Sequence, residues 1–409
     1  MSPEPQRRIL ILSQWFPPEH APIGYMLKEL GEHLSTTGFQ VEVVTGFPNH
    51  PTGRVQPPYA KQWRLVEQPN NITITRLWLF TSERRSLLTR ALNFLSFVLR
   101  AFLYLLTCPK PALVFAVLQP LPVGVMLLWV AKLRGFKLIF NVQDLHPDVV
   151  IDLGLVRNPV VIRLLKWMER KAYAGADALA VICDGFKQHV RSHGAVQPVA
   201  VIPNWIDVDE IHPDPAAGAA FLTSHGLNPN KPVVLYAGTI GHVSGAQVVI
   251  DAARQLPGVQ WLFVGEGPVL ADLKRQAHGM SHIYFLPFQP RAQLNAVQNC
   301  AALSLVSLLP GKGTYSVPSK VLGYMAAGKP VLASVDANSE TARLVDDAEC
   351  GWVVPAGDAN ALAQAVQQLL GDPSAAGRMG LQGRLYLETR YSRRAVCTEY
   401  ETLFRQILT

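Results

Sequence analysis

Two clusters in this chain carry residue types able to do chemistry. The first is Ser316, Val317, Pro318, Ser319 and Lys320, which follow an apolar run, Ala301 to Leu309, and a loop holding Pro310, Gly311 and Gly313. A strand, a Gly-rich loop and a helix start together make an anion site. The first-turn amides lack intrahelical partners, the helix dipole is positive there, and Pro318 has no N–H to leave unpaired. Lys320 adds a full charge and Ser319 a hydroxyl, so a phosphate at Ser316 to Lys320 would complete the hydrogen bonding. From the loop alone, an ordinary capped βα connection reads the same. The second cluster is Asp144, His146 and Asp148 in NVQDLHPD, at the carboxyl end of a strand-like run, where a general base is well placed. Asp144 follows the run directly and is the better candidate. His146 equally fits a loop histidine bonded to backbone.

The elements that must position these groups follow from length and composition. At 409 residues the chain is too long for one core, and two domains of roughly 200 residues each are expected. An apolar content of 49% with a mean hydropathy of +0.16 excludes disorder and leaves apolar surface to meet a membrane. A net charge of +7 favours an acidic partner: a phosphate-bearing substrate, an anionic bilayer or nucleic acid. The five cysteines, with no CxxC pairing, read as reduced thiols, neither a disulfide frame nor a zinc site. Residues 1–8 are polar and lead into a strand, and no secretory signal is visible.

Along the chain, residues 8–13, 25–34 and 40–45 read as β-α-β, with Gly38 as the helix stop. Gly24 sits where that helix begins and serves either close backbone approach by a ligand or simple turn chemistry. Residues 46–70, rich in Pro, Asn and Gly, predict a long surface loop, and 72–80 a strand. The most apolar segment, 86–107, is interrupted by Arg90 and Arg100. Only nine uncharged residues lie between them, against the roughly 20 needed to span a bilayer, so a transmembrane helix is not expected. Arg84, Arg85, Arg90, Arg100 and Lys110, then Lys132, Arg134 and Lys137, gather around this segment and the apolar run 121–130. Apolar stretches flanked by positive charge suit peripheral contact with an anionic membrane; core helices with snorkelling arginines are the alternative.

Residues 204–220 read as an interdomain linker, after which the βα rhythm restarts. The turns YAGTIGHVSG, FVGEGPV and FLPFQPR then fall on one edge of a parallel sheet and build one pocket together. Helices at 359–370 and 393–408 lack strand partners and read as caps. No G-x-G-x-x-G follows the first strand, which speaks against a dinucleotide dehydrogenase, and nucleic acid has only net charge in its favour.

The second half resembles the nucleotide-sugar-binding domain of family 4 glycosyltransferases. The resemblance is carried by PNWID (203–207), YAGTIG (236–241), FVGEGP (263–268), FLPF (285–288), VPSKVLGYMAAGKPV (317–331) and CGWVVPAGD (350–358), in the family's order and spacing. In the first half, SQWFPPEHAPIGYMLKELGEHLSTTGFQVEVVTG and VQDLHPD resemble the branch containing WbuB-like and WcaI-like transferases of bacterial surface polysaccharide synthesis. The implied fold is α/β of GT-B type, two Rossmann-like domains with parallel sheets facing across a cleft. Residues 1–203 would bind the acceptor and 204–385 the nucleotide sugar, with a C-terminal helix, 386–409, packing back towards the first domain. The implied reaction is retaining transfer of a sugar from a nucleoside diphosphate donor, UDP-linked by preference, to a lipid-linked or saccharide acceptor.

By the same resemblance, Gly238, Thr239 and Gly241 let backbone approach the donor phosphates and Phe288 meets the base. Gly24, Asn204, Gly265, Glu266, Gly267, Tyr315, Ser316, Val317, Pro318, Ser319 and Lys320 complete the implied donor site. Asp144 and Lys320 carry the catalytic roles, with His146 on the acceptor side. No metal or cofactor is required, since the helix start and Lys320 supply preorganised positive charge for a departing diphosphate. The expected location is cytoplasmic, at the inner face of the cell membrane. Two departures from the family pattern stand out. Tyr315 and Gly323 occupy the positions of its paired glutamates, and His242 and Ser244 lie where an Arg and a Lys usually follow the YAG strand. A sugar-nucleotide epimerase and a catalytically silent donor-binding subunit fit the same architecture.

Overall fold

The structure is a computed structural model, and it describes residues 7–19, 21–50, 52–55, 57–84, 86–152, 154, 156–313 and 319–409. Two compact units divide the chain: one runs to Pro203 and regains Cys397–Thr409, the other is Asn204–Val396.

In the first unit, among the described residues, eight strands form one sheet: β1 (Arg8–Leu12), β2 (Gln40–Gly46), β3 (Arg64–Glu67), β4 (Ile72–Leu77), β5 (Leu113–Val117), β6 (Lys137–Val142), β7 (Ala178–Val181) and β8 (Val199–Val201). Their order is β3-β4-β2-β1-β5-β6-β7-β8, parallel throughout except for β3 against β4. Runs such as RILIL and LVFAV are almost wholly buried, as a sheet covered on both faces demands. Because the strands run parallel, the loops after β1, β2, β5 and β6 all leave from one edge, where ligands of open α/β sheets bind. The first helix, Pro22–Thr36, starts earlier than its apolar periodicity shows because Pro22 suits the first turn, and the chain turns at Gly38 with φ +95°.

The stretch 46–70 is not loop throughout. Its end, β3, is an edge strand, and Arg76 of β4 reaches across to Glu67 at 2.5 Å. The Pro- and Gly-rich residues before it masked this pairing. The strand expected over 72–80 ends at Leu77.

The apolar segment forms one continuous helix, Leu87–Thr107, capped by Ser86, whose hydroxyl accepts from the Thr89 amide. Its window Leu88–Thr107 is long and apolar enough to cross a membrane by length and composition. One face, however, is fastened to the sheet. Phe97, Ala101 and Leu105 are buried, Asn93 donates to the Phe80 carbonyl, and Tyr104 hydrogen-bonds to Glu42.

Among the described residues of the second unit, six parallel strands, β9 (Val233–Ala237), β10 (Gln260–Val264), β11 (Ile283–Leu286), β12 (Leu303–Ser307), β13 (Val331–Ser334) and β14 (Gly351–Val354), pair in the order β11-β10-β9-β12-β13-β14. The expected linker is largely structured and belongs to this unit. Asp214 caps a helix, Pro215–Ser224, by accepting from the Ala217 amide, so the Asp-Pro pair that reads as a breaker is a helix start. A second helix the periodicity hides, Pro373–Arg390, uses glycines for contact: a Cβ on Gly380 would stand 2.0 Å from the Gly328 carbonyl oxygen.

The last helix, Arg393–Leu408, begins in the second unit. The return to the first unit starts at Cys397 and not at 386. There Tyr400 and Phe404 pack on Phe115, and Glu401 meets His33 at 3.0 Å.

Candidate active site

In the second unit the strand β9 ends at Ala237, and the chain enters Gly238 with φ +122°. Two loops interlock here through backbone. The Gly238 amide donates to the Val264 carbonyl and the Ile240 amide to the Glu266 carbonyl, both at 2.9 Å. A Cβ on Gly265 would lie 2.0 Å from the Gly238 carbonyl oxygen, and one on Gly267 would lie 2.2 Å from that of Ile240. Only glycine fits at 265 and 267, so YAGTIG and FVGEGP form one rigid corner.

Lys320 opens the helix Lys320–Ala326 and points into this corner. Its Nζ stands 3.6 Å from the centroid of the Tyr236 ring, and a Cβ on Gly238 would meet Lys320 Cε at 3.3 Å. Among the described residues no carboxylate pairs with it. Burial pushes its ammonium down to about 7, while burial pushes the Tyr236 hydroxyl up to about 12. The ring face of Tyr236 is thus the stand-in partner of a cation that lacks an anion.

Tyr324, one turn further along the helix, fixes this geometry. Its hydroxyl is fully buried, accepts from the Ala237 amide at 2.9 Å, and lies 3.1 Å from the Leu305 carbonyl. It therefore ties the end of β9 and the middle of β12 to the helix that carries Lys320. The loop after β12 is held in turn by Asp336, which accepts from the Gly311 amide at 2.8 Å.

Of the other donor residues named from sequence, Thr239 and Glu266 are exposed on the two interlocked loops and Gly241 is half-buried beside them. Phe288 is exposed after β11, on the same sheet edge, and Asn204 opens the unit, half-buried. Ser319 precedes the helix without a side-chain cap. Tyr315, Ser316, Val317 and Pro318, with the helix opening expected at Pro318, lie outside the described residues. Gly323, at the position of a family glutamate, is buried, and a Cβ there would lie 3.2 Å from Gln298 Nε2. Ser244, in place of a lysine, closes a turn by donating to the Gly241 carbonyl, and His242 is exposed.

In the first unit Asp144 is exposed just beyond β6. His146 Nε2 lies 3.0 Å from Gln119 Nε2, and its amide donates to the Asp144 carbonyl. Burial lowers the His146 pKa, opposed by the charges of Asp144 and Glu169. Gly24 is buried against the Trp15–Phe16 backbone, where a Cβ would meet Phe16 Cα at 3.0 Å. Asp148, His189 and His193 bring possible ligand atoms within 4.8 Å of one another. His189 is already 3.1 Å from the buried Glu169, and Lys166 lies 3.6 Å from Asp148.

Sequence reasoning named Lys320 and the glycines of this corner and did not name Tyr236 or Tyr324. Both read as core aromatics, and the one available signal was their place inside the YAGTIG and VLGYM motifs.

Two Rossmann-like units of this strand order, the second bearing a cationic glycine corner, define the GT-B class of transferase. A model of "Glycosyl transferase 4-like domain" matches residues 23–205, and one of "Glycosyl transferases group 1" matches 231–372. The chain belongs to the family 4 glycosyltransferases. The putative colanic acid biosynthesis glycosyl transferase WcaI of Escherichia coli (strain K12) is 28% identical over 350 residues, covering 83% of this chain and 86% of WcaI. The probable glycosyltransferase WbjE of Pseudomonas aeruginosa is 26% identical over 58% of this chain and 60% of its own length. Among solved structures, sucrose-phosphate synthase of Thermosynechococcus elongatus superposes with a TM-score of 0.77 at 20% identity, over 98% of this chain and 99% of that one. Anabaena HepE in complex with UDP and glucose does so with a TM-score of 0.71 at 15% identity, over 98% of this chain and 100% of that one.

Proposed function

We propose that this chain moves a sugar, with retention at the anomeric carbon, from a UDP-linked donor to a lipid-linked saccharide in bacterial surface polysaccharide synthesis. The observation that carries the reading is the Lys320 ammonium, held over Tyr236 beside Gly238 without an anionic partner. A donor diphosphate supplies that anion. As the bond from the sugar to the diphosphate breaks, negative charge grows on the leaving oxygen, and a fixed ammonium in a partly dry corner stabilises it. The interlocked glycine loops leave backbone bare enough for phosphates to approach. Asp144, exposed beyond β6, takes the proton of the acceptor hydroxyl. HepE, crystallised with UDP and with UDP-glucose, supports a uridine donor, and WcaI supports the polysaccharide setting. Retention and independence from metal rest on family membership.

The chain works as a peripheral protein on the cytoplasmic face of the membrane. Leu88, Leu92, Leu95, Leu99 and Leu103 form an exposed stripe on the helix Leu87–Thr107, opposite its buried face. The neighbouring helix Leu121–Arg134 exposes Trp129 by 76% and Leu133 by 73%. Between Glu83 and Asp144 the sequence has no acidic residue and, besides Arg84 and Arg90, six Arg or Lys. An apolar stripe on a segment rich in positive charge suits an anionic bilayer.

The test is a transfer assay with a panel of sugar nucleotides and lipid-linked saccharides. Lys320→Ala should lower kcat at least tenfold without lowering the thermal midpoint, and Asp144→Asn should also slow turnover. Wild-type turnover in Lys320→Ala would remove the corner from the chemistry.

A further inference from the structure

The reading above requires a place for the acceptor, and the first unit holds a cavity of about 340 Å³ with the right chemistry. Its walls include Trp15 after β1, His50 after β2, Arg84 after β4, and Arg90, Asn93 and Phe94 of the helix Leu87–Thr107. The volume lies within the range of small-molecule sites, about 300–1,000 Å³. Two guanidinium groups and an imidazole face it, and no carboxylate lines it.

Nearby arginines are neutralised: Arg54 is paired with Glu83 and Arg76 with Glu67. Among the described residues Arg84 and Arg90 have no such partner. The floor is preorganised. Asn93 donates to the Phe80 carbonyl at 2.7 Å and accepts from Gln14 at 2.6 Å, while the buried Gln14 Oε1 has no partner among the described residues. The His50 loop is pinned by its own amide and that of Asn49, both donating to Glu19 at 2.8 Å. Trp15 and Phe94, edge to face at 6.2 Å, form an apolar wall.

Placement adds the decisive constraint. Trp15 and His50 leave the same sheet edge as Asp144, so an acceptor head in this cavity sits on the catalytic edge. On the helix, Arg90 shares the inner face with Asn93, Phe94 and Phe97, whereas Leu88, Leu92, Leu95 and Leu99 face outward and are exposed. One helix thus offers cations on its inner side and an apolar stripe on its outer side, within a few turns.

We infer that this cavity binds the phosphate or diphosphate head of the lipid-linked acceptor through Arg84 and Arg90, with the lipid tail leaving along the leucine stripe. The inference rests on the lipid-linked reading of the acceptor given above. The acceptor's own phosphates take no part in the chemistry; they are held so that the saccharide beyond them reaches the sheet edge. Paired guanidinium groups suit phosphate oxygens better than a single point charge does.

The test uses the full chain with saturating UDP, which occupies any donor diphosphate site, and follows tryptophan fluorescence as farnesyl diphosphate is added. The wild type should bind it at least tenfold more tightly than farnesol. Arg84→Ala/Arg90→Ala should lose at least tenfold, and Arg84→Lys/Arg90→Lys should keep most of the affinity. Binding to vesicles containing phosphatidylglycerol should change less than threefold, which separates an acceptor head from bulk lipid headgroups. Both arginines are exposed, so thermal unfolding should not move. Equal affinity for farnesyl diphosphate in wild type and the double alanine variant overturns the inference, and so does a parallel loss of vesicle binding. The two proposals fail differently. No transfer by the wild type to any lipid-linked diphosphate saccharide defeats the acceptor reading. Transfer with an acceptor KM unmoved by Arg84→Ala/Arg90→Ala defeats the cavity assignment.

Discussion

Replacing Lys320 by methionine keeps the length of the side chain and its contact with Tyr236 while removing the charge, and the effect should depend on pH in a calculable way. The free ammonium has a pKa near 7, lowered from the usual 10.5 by burial. A bound diphosphate favours the charged form, so binding takes up a proton and affinity falls as pH rises through 7. A charge-assisted hydrogen bond contributes about 1.5–3 kcal/mol, and about 2.7 kcal/mol corresponds to about 100-fold in affinity. If neutral Lys320 binds no better than methionine, the gap between wild type and Lys320→Met should be about 90-fold at pH 6, about 50-fold at pH 7, about 10-fold at pH 8 and about 2-fold at pH 9. Titration calorimetry with a UDP-sugar reads this directly, because its diphosphate, esterified at both ends, does not titrate in that window. Repeating it in buffers of different ionisation heat measures the proton taken up. A gap that stays constant from pH 6 to 9, or no proton uptake at pH 8, would refute the argument that a burial-lowered ammonium holds the donor.

The same linkage predicts that Lys320→Met raises the thermal midpoint of the ligand-free protein. An unfolded lysine stays protonated to about 10.4 while the folded one releases its proton near 7, so its burial is a cost, largest at low pH. Gly265→Ala should lower stability by about 1–3 kcal/mol through overpacking and raise the donor KM, since its Cβ collides with the Gly238 carbonyl. Chemical denaturation and initial-rate kinetics check the two effects. Tyr324→Phe leaves the Ala237 amide buried without its partner and should cost about 1–3 kcal/mol, read as a lower denaturation midpoint at constant m-value. Leu95→Asp with Leu99→Asp changes exposed positions only, so it should cut co-sedimentation with anionic vesicles at least tenfold without moving the thermal midpoint.

The parallel architecture was legible because strands buried on both faces are continuous apolar runs, and VVLYA, WLFV and LSLVS could hardly be anything else once helical stretches separated them. Lys320 was legible as a candidate through the glycine loop before it together with the family resemblance, since the loop alone reads equally as a capped βα connection. The details that make it a site were not. Tyr236 and Tyr324 are nearly half of the unit apart in sequence, and nothing local shows that one offers its ring to Lys320 while the other bonds β9 and β12. Gly238 and Gly265 were named as donor residues by resemblance, but that one backbone lies directly against the other there is not visible in the sequence.

The errors share a cause. The strand β3 follows a Pro- and Gly-rich stretch, and the helices Pro215–Ser224 and Pro373–Arg390 contain residues that break elements on average but have local uses here. Asp214 and Asp372 are caps, and Gly218, Gly380 and Gly383 lie against neighbouring chain. The cavity in the first unit was invisible for a different reason. Trp15, His50, Arg84 and Arg90 come from three loops and a helix, and only the sheet order brings them to one edge.

The central claim is that Lys320 exchanges the face of Tyr236 for a donor diphosphate. A crystal structure of the chain with an intact UDP-sugar tests it most directly. The account predicts a donor phosphate oxygen within hydrogen-bond distance of Lys320 Nζ, about 2.7–3.2 Å, with backbone of the Gly238 and Gly265 loops alongside. A diphosphate seated elsewhere, with Lys320 still resting on the Tyr236 ring, would contradict it.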